Sequence, residues 1–496
     1  MQFDVAVIGG GPSGSVTASL LAMGGASVVL FEATSFPRYQ IGESLMVSTV
    51  QGLCKYIGAL EEVLKAGFIR KPGGVFKWGA SSELWTLAFT QANELLEDDA
   101  NFALHVDRSR FDSILLETAK RHGVEVRQPN RVREIAPKTP HAKTITFDTP
   151  RSGREQVTCR FVIDASGSSS PFAKQVGTRV HSKFFNNMAF YGYFEGASRL
   201  PSPLQGGGIT EAFSEGWAWF LPIQDNLTSV GVVLGAESKP NDGPEFLMNT
   251  YLPECRHISG LLKDARYATT KPFDVFRMRS DFSYTTDRLV RDGVFLVGDS
   301  AAFLDPLFTT GVHLGTYSGL LAARTILSIM DDTLPDTDLY QEFETRYRYE
   351  YELFYHYVVA YYDANVAPNS NFWSTRKVAN TTEQENSFYI DLITQGRDTA
   401  LDYFASKIGL GDFVQEWIEK LSYVTTPEEK ALACRRMAEE IHFHFPPPSG
   451  PRPFHLGFQD VRNMANGLVH DEPKAEDLLF QPSQDGLRWQ LRATTS

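Results

Sequence analysis

Cysteine is scarce in this chain. Only Cys54, Cys159, Cys255 and Cys434 occur in 496 residues, and no two share a CxxC spacing. That excludes a disulfide framework and argues against a zinc site, and it fits reduced thiols in a cytoplasmic protein. Positive charge is short too: 47 Lys and Arg stand against 60 Asp and Glu, a net charge of −13. A general nucleic-acid or anionic-membrane binder needs a basic face, so neither partner is expected. No apolar run reaches the ~18 residues of a membrane span. The longest, Gly319 to Met330, is broken by Arg324. The first apolar run, Val5 to Ile8, lacks a basic flank and ends in glycines, unlike a signal peptide. No internal repeat is evident, and Pro446 to Pro453 forms a proline-rich break.

What is present is a large apolar inventory, 42% of residues, enough for an extensive core. Phe3 to Ile8 is short and apolar and reads as a buried parallel strand. Gly9-Gly10-Gly11-Pro12-Ser13-Gly14 follows, with Gly9, Gly11 and Gly14 in GxGxxG positions. Ser13 to Met23 then reads as a helix, and Ser27 to Phe31 as a second strand ending at Glu32. The glycines permit a tight turn and close approach of backbone to a pyrophosphate, which meets the helix N-terminus. Glu32, 18 positions after Gly14, is placed to accept hydrogen bonds from ribose hydroxyls. A lone GxGxxG is weak, but strand, turn, helix and acidic residue together point to a dinucleotide site in a Rossmann-type βαβ unit.

Phe161 to Asp164 and Gly293 to Val297 are further short apolar strands, each followed by a polar turn. Between them, Ala189 to Phe194, Gly216 to Pro222 and Thr228 to Leu234 are aromatic and β-branched, as in antiparallel strands. Phe343, Tyr347, Tyr351, Phe354, Val358 and Tyr361 recur at steps of three and four, one core-facing stripe of a long helix.

Three more segments carry a resemblance. Asp107-Arg108-Ser109-Arg110-Phe111-Asp112, Asp164-Ala165-Ser166-Gly167 and Gly298-Asp299-Ser300-Ala301-Ala302 resemble, in order, the DRxxFD, DASG and GDAA segments of para-hydroxybenzoate-hydroxylase-like flavoproteins. The resemblance implies FAD as cofactor, with Asp299 at its ribityl or pyrophosphate part and Arg108 in a supporting contact. The expected fold is α/β: that FAD-binding fold, with an inserted antiparallel substrate sheet and a helical C-terminal region. Expected boundaries are a core over 1–330, with FAD-binding segments 1–75, 101–175 and 285–330. The substrate sheet is expected over 76–100 and 176–284, and the helical region over 331–496, bordering the substrate entrance. No second GxGxxG has strand and helix context, so no evident NAD(P)H domain is present.

Gly216-Trp217-Ala218-Trp219-Phe220-Leu221-Pro222 resembles the WxWxIP signature of flavin-dependent halogenases, with Leu221 where isoleucine is usual. Two tryptophans two apart share one face of a strand. In that family the element separates flavin from organic substrate. Lys71-Pro72-Gly73-Gly74 matches the segment bearing the family's active-site lysine, which selects Lys71 over Lys77. Reduced flavin, oxygen and chloride or bromide yield hypohalous acid there, and a compact ammonium on a flexible stem suits holding that oxidant. Phe303 to Gly311 resembles the FxxPxxSxG motif, with Thr309 for serine, which implies halide binding at the amides of Thr310 and Gly311. Phe308 stands where tryptophan halogenases carry a glutamate, so a phenol or pyrrole is expected as substrate, with Phe308 lining its site. Ile41-Gly42-Glu43-Ser44-Leu45 matches the GES segment near the flavin ring, making Glu43 and Ser44 cofactor-shell candidates. Arg38, in the Phe36-Pro37-Arg38-Tyr39 run, joins them. The sequence is most similar to the natural-product, carrier-protein-associated branch of the family.

The resemblance implies FADH2 supplied by a separate NAD(P)H-dependent flavin reductase, and an aromatic substrate, free or as an acyl group on a carrier protein. Docking an acidic carrier on this acidic chain needs a local basic patch. Arg346, Arg348, Arg435 and Arg436 are candidates, with plain solvated surface charge as the alternative reading. Two alternatives remain: an FAD monooxygenase or epoxidase on the same fold, which has no need of Lys71 or the paired tryptophans, and a catalytically inactive flavoprotein scaffold.

Overall fold

The computed structural model describes residues 2–78, 84–89, 102–139, 141–150, 153–182, 184–235, 244–280, 283–363 and 480–491. The opening unit is as the pattern requires. Strand Gln2–Ile8 leads through the glycine turn into helix Pro12–Met23, and strand Val28–Phe31 pairs with the first in parallel. Apolar side chains on both faces allow these strands to lie inside a sheet covered by helices. Gly153–Asp164 pairs parallel on the other side of Gln2–Ile8, and Val294–Leu296 pairs parallel with it in turn. Glu125–Arg127 extends the opposite edge beside Val28–Phe31. The chain thus crosses this sheet in three separated stretches, and the ends of those strands converge on Gly9, Ala165 and Gly298.

The second sheet is mainly antiparallel. Its order runs Arg266–Tyr267, Asn187–Glu195, Leu227–Gly235, Gly216–Gln224, Gly208–Phe213, Gly73–Lys77, Trp85–Ala88, and Arg277–Ser280 adds to Asn187–Glu195. One pairing within it, Gly208–Phe213 with Gly73–Lys77, is parallel. Period-2 alternation divides the side chains cleanly. Tyr191, Ala212, Trp217, Trp219 and Val233 join the core shared with the flavin-type sheet. Phe190, Ala218, Phe220, Val230 and Val232 form a second core under the short helices at 244–261. The face carrying the tryptophans is therefore the one turned toward the dinucleotide domain.

Helix Thr310–Met330 and the long helix Asp336–Asp363 close the core. Phe343, Tyr347, Tyr351, Phe354 and Val358 are buried along the second, as the stripe predicts. A fully buried set, Ser48 Oγ to His313 Nδ1 at 3.0 Å and His313 Nε2 to Glu350 Oε1 at 2.7 Å, joins these two helices to the Ser48–Cys54 turn. Past residue 363 the described chain is a hairpin, Phe480–Pro482 with Trp489–Leu491, rather than helix. Trp489 is held between the guanidiniums of Arg324 and Arg346, each 4.6 Å from its ring centroid.

Among the described residues no helix is long and apolar enough to cross a membrane, and no His/Cys/Asp/Glu cluster fits a metal. Cys54, Cys159 and Cys255 are free and buried, and Cys434 lies outside the described residues.

Candidate active site

One continuous cavity of about 800 Å³ joins the glycine turn to Lys71. Its first end is lined by Gly9, Gly11, Ser13, Glu32 and Arg38. Gly9 has φ +107°, and a Cβ there would lie 2.3 Å from the Ala165 carbonyl. Gly14 does not line the cavity. A Cβ on it would meet the Gly9 carbonyl at 1.9 Å, so it serves close packing of helix against turn. At Gly11 a Cβ would reach only Arg38 Nη2, at 3.3 Å, which leaves room for a ligand beside the backbone. Buried Glu32 accepts from the Gly10 N–H at 2.8 Å and from Thr34 N–H at 2.9 Å. A glycine cradle at a helix N-terminus, an acidic side chain and the Arg38 guanidinium fit the pyrophosphate and ribose of FAD.

The middle of the cavity holds Arg108 and Asp299. Arg108 is buried, grips Asp112 with two bonds of 2.7 and 3.1 Å, and donates to the Ile41 and Gly42 carbonyls at 2.8 and 3.2 Å. Arg108 opens helix Arg108–Arg121, which the Asp107 side chain caps by accepting from Ser109 N–H at 2.9 Å. Arg38 reaches the same Asp112 at 3.4 Å. Burial pushes the Asp299 carboxyl up, opposed by Arg279, Arg108 and Arg179. Arg179 and Arg279 were not anticipated from sequence. Both line the cavity and converge on Ser168, one donating to its carbonyl at 2.8 Å and the other to its hydroxyl at 3.1 Å. Removing the Asp299 carboxylate should weaken FAD binding. A hydrogen bond to a charged group contributes about 1.5–3 kcal/mol, so Asp299→Ala should raise the FAD Kd roughly 10- to 100-fold. Titration by flavin fluorescence checks this, and unchanged affinity would remove Asp299 from the cofactor contacts.

The far end holds Lys71, Ser44, Phe76, Phe89 and Phe308. Lys71 ends the short Ile69–Lys71 strand and donates to Ser44 Oγ at 3.0 Å. Its ammonium lies 5.5 Å from the Phe89 ring centroid, and among the described residues it forms no ion pair. Desolvation lowers its pKa to about 8. Lys77 instead points away, toward the Ala212 carbonyl at 3.4 Å. Beside Lys71, His105 is fully buried with both ring nitrogens unpartnered among the described residues, and burial drives its pKa well down.

Trp217 and Trp219 form part of the wall. Trp217 Nε1 donates to Tyr362 Oη at 2.6 Å, and Tyr362 donates to Asp305 Oδ2 at 3.1 Å. Asp305 Oδ1 accepts from Leu307 N–H at 2.9 Å. The end of the long helix thus fixes both the tryptophan and the turn that leads to Phe308. Trp219 lies over Gly231, where a Cβ would meet its ring at 2.3 Å.

Helix Thr310–Met330 begins at the cavity, where Thr309, Gly311 and Val312 are lining residues. Its first N–H groups have no acceptor within the helix. Thr309 takes φ +58°, an outlier for a β-branched residue. Gly311 borders the cavity; the Thr310 side chain is fully buried and its hydroxyl has no partner among the described residues, which leaves the expected amide contact of Thr310 untouched.

Of the arginines considered for a basic docking patch, Arg346 is buried and does not contribute to one, while Arg348 is half-buried. Arg346 is buried against Glu342 at 2.7 Å and donates to the Phe480 carbonyl at 2.7 Å. Arg348 donates to the Thr286 and Asp287 carbonyls, at 3.1 and 2.7 Å. The buried charge of Arg346 is thus satisfied internally. Arg435, Arg436 and Tyr361 fall where nothing is described, the first two in the chain and the last in its side chain.

The sequence profile of the tryptophan halogenase family matches residues 4–99 and 90–417. A tryptophan 2-halogenase from Chondromyces crocatus is 34% identical over 384 residues, 76% of this chain and 70% of that protein. A 1H-pyrrole-2-carbonyl-[peptidyl-carrier protein] chlorinase from Pseudomonas fluorescens is 28% identical, over 74% of this chain and 84% of its own. Among solved structures, the myxobacterial chondrochloren halogenase, a variant of FAD-dependent halogenases, superposes with TM-score 0.76 at 36% identity, covering 99% of this chain and 100% of its own.

Proposed function

The chain belongs to the tryptophan halogenase family, a family of flavin-dependent halogenases that use FAD, oxygen and halide, and on that footing we propose that it chlorinates or brominates a phenol or pyrrole in secondary metabolism. The observation that carries this reading is Lys71, a half-buried lysine whose ammonium enters the same cavity as the dinucleotide cradle, with the paired tryptophans in the wall. A monooxygenase on this fold has no use for such a lysine.

Bound reduced FAD supplies the electrons that let oxygen oxidise halide to hypohalous acid. The protein's own residues do the rest. Gly9, Gly11, Ser13, Glu32 and Arg38 bind the dinucleotide, and Arg108 and Asp299 hold its middle. Gly311 and the free N–H groups at the start of its helix offer halide an anion site without a competing counter-charge. Lys71 hydrogen-bonds the hypohalous acid and orients it. The aromatic wall of Trp217, Phe76 and Phe308 excludes water and receives the ring. With no carboxylate at position 308, the ring must carry its own activation, as a phenolate or pyrrole does.

The 28% identity to the pyrrolyl-carrier chlorinase supports a carrier-tethered acyl group as well as a free ring. Electrons come from a separate flavin reductase. The decisive assay feeds FADH2 through an added reductase with bromide, oxygen and simple phenols, then the same acyl groups on a carrier protein, and reads masses. A bromine isotope doublet establishes the reading, and products gaining oxygen instead establish the monooxygenase. The protein alone should leave NADPH essentially unoxidised over the assay. Rapid NADPH loss without added reductase would overturn the two-component reading.

A further inference from the structure

Glu43 borders the cavity, yet nothing in the halogenation chemistry above uses it. Its side chain is buried, and its surroundings form a chain leading outward. Tyr193 Oη donates to Glu43 Oε1 at 2.6 Å. The hydroxyls of Tyr193 and Tyr39 lie 2.7 Å apart. Tyr39 is half-buried, with the Arg277 guanidinium 3.9 Å from its ring centroid. The chain is held rigidly. Gly42, at φ +102°, sets the turn, and its N–H bonds Glu43 Oε2 at 3.1 Å. The Glu43 carbonyl accepts from Val106 N–H at 2.7 Å. Phe273 packs on both phenols, 4.8 Å from Tyr193 and 6.3 Å from Tyr39.

Halogenation needs a proton. Reduced flavin, oxygen, halide, an aromatic C–H and one proton give oxidised flavin, the aryl halide and two waters. The cavity's other carboxyl groups, Glu32 and Asp299, stand in its cofactor-binding end and middle, and Arg108 favours the ionised form of Glu43.

We propose that Glu43, Tyr193 and Tyr39 form a proton relay that delivers this proton from the protein surface to the flavin cavity. The inference rests on the halogenase reading for the proton's use, but the relay itself is a property of the chain. Glu43 releases its carboxyl proton into the cavity. Tyr193 passes its hydroxyl proton to the carboxylate while taking one from Tyr39, and Tyr39 takes one from surface water. One O–H bond breaks and one forms at each step, and no electrons move. Burial shifts the Glu43 carboxyl toward its protonated form. Burial and the neighbouring Glu43 raise both phenols, so they shuttle without resting as phenolates. The other groups facing the chain are Tyr191, which also bonds Tyr39, and Arg277 and Arg279 beside it.

The test begins without flavin. Infrared spectra of the FAD-free protein should contain a protonated-carboxyl band that Glu43→Gln removes. Its hydrogen–deuterium exchange should slow about tenfold or more in Tyr193→Phe and Tyr39→Phe. The second variant removes one hydroxyl from a half-buried ring and keeps the fold. In the FADH2-fed enzyme Glu43→Gln should slow product formation about 100-fold, the low end for loss of a general acid, and formate should rescue Glu43→Ala. A carboxyl band absent at neutral pH, or exchange in Tyr39→Phe as fast as in the parent, overturns the relay. Slowed exchange in a protein that makes no halogenated product supports the relay and overturns the halogenase reading instead.

Discussion

Lys71→Ala is expected to cut halogenated product by about 100-fold or more, the loss found when one preorganised donor is removed from an active site, while reduced flavin is still consumed and hydrogen peroxide accumulates. The geometry separates the two outcomes. Lys71 and Ser44 stand at the far end of the cavity from the glycine cradle, so removing the amine leaves the dinucleotide contacts intact. Lys71→Arg should fail nearly as badly, because a planar fork does not fit beside Phe89 and Ser44 as a compact ammonium does. Burial lowers the lysine to about 8, so at pH 7 about nine-tenths of it is protonated. If the ammonium is the working form, single-turnover halogenation falls as pH rises through about 8, while flavin oxidation does not follow. Full product yield from Lys71→Ala, by mass spectrometry, would remove Lys71 from the chemistry.

Arg108→Ala is expected to destabilise the fold by about 3–5 kcal/mol, as breaking a buried ion pair does, and to lose FAD. Asp112 has no solvent exposure, and Arg108 supplies both of its close bonds. Without it Asp112 keeps only Arg38, at 3.4 Å and partly exposed. The same guanidinium holds the Ile41 and Gly42 carbonyls, and so the loop that presents Glu43 and Ser44. Urea unfolding and the flavin absorbance of purified protein measure the two effects. A double variant with Asp112→Asn should recover part of the stability, because no uncompensated buried charge remains. Stability within about 0.5 kcal/mol of the parent, the usual range for surface changes, would show that the pair is not structural.

Much of the site was legible because its signals are local. The strand, glycine turn, helix and Glu32 lie within 32 residues, and each follows from short-range sterics and hydrogen bonding. The tryptophans' shared face follows from period 2 alone, and the structure divides the two cores along that alternation. The resemblance carried Lys71, Asp299 and Arg108 into one cavity.

What escaped was contact across long separations. Tyr193 meets Glu43 across 150 positions, and Trp217 meets Tyr362 across 145. The tyrosines of the Asn187–Glu195 strand, spaced by two, carried a faint signal that their face turns toward the cavity. Arg346 looked like surface charge in a helix and proved buried.

The sequence by itself determined the dinucleotide turn, the period of each element and which residue types face together, because these depend on backbone sterics over a few residues. Only the tertiary structure decided that Lys71 is partly desolvated and its pKa lowered, that Gly311 borders the cavity, and that Glu43 reaches Tyr39 through Tyr193. Burial and hydrogen-bond partnership are set by segments more than a hundred residues apart meeting in the core, and desolvation acts only once they have met.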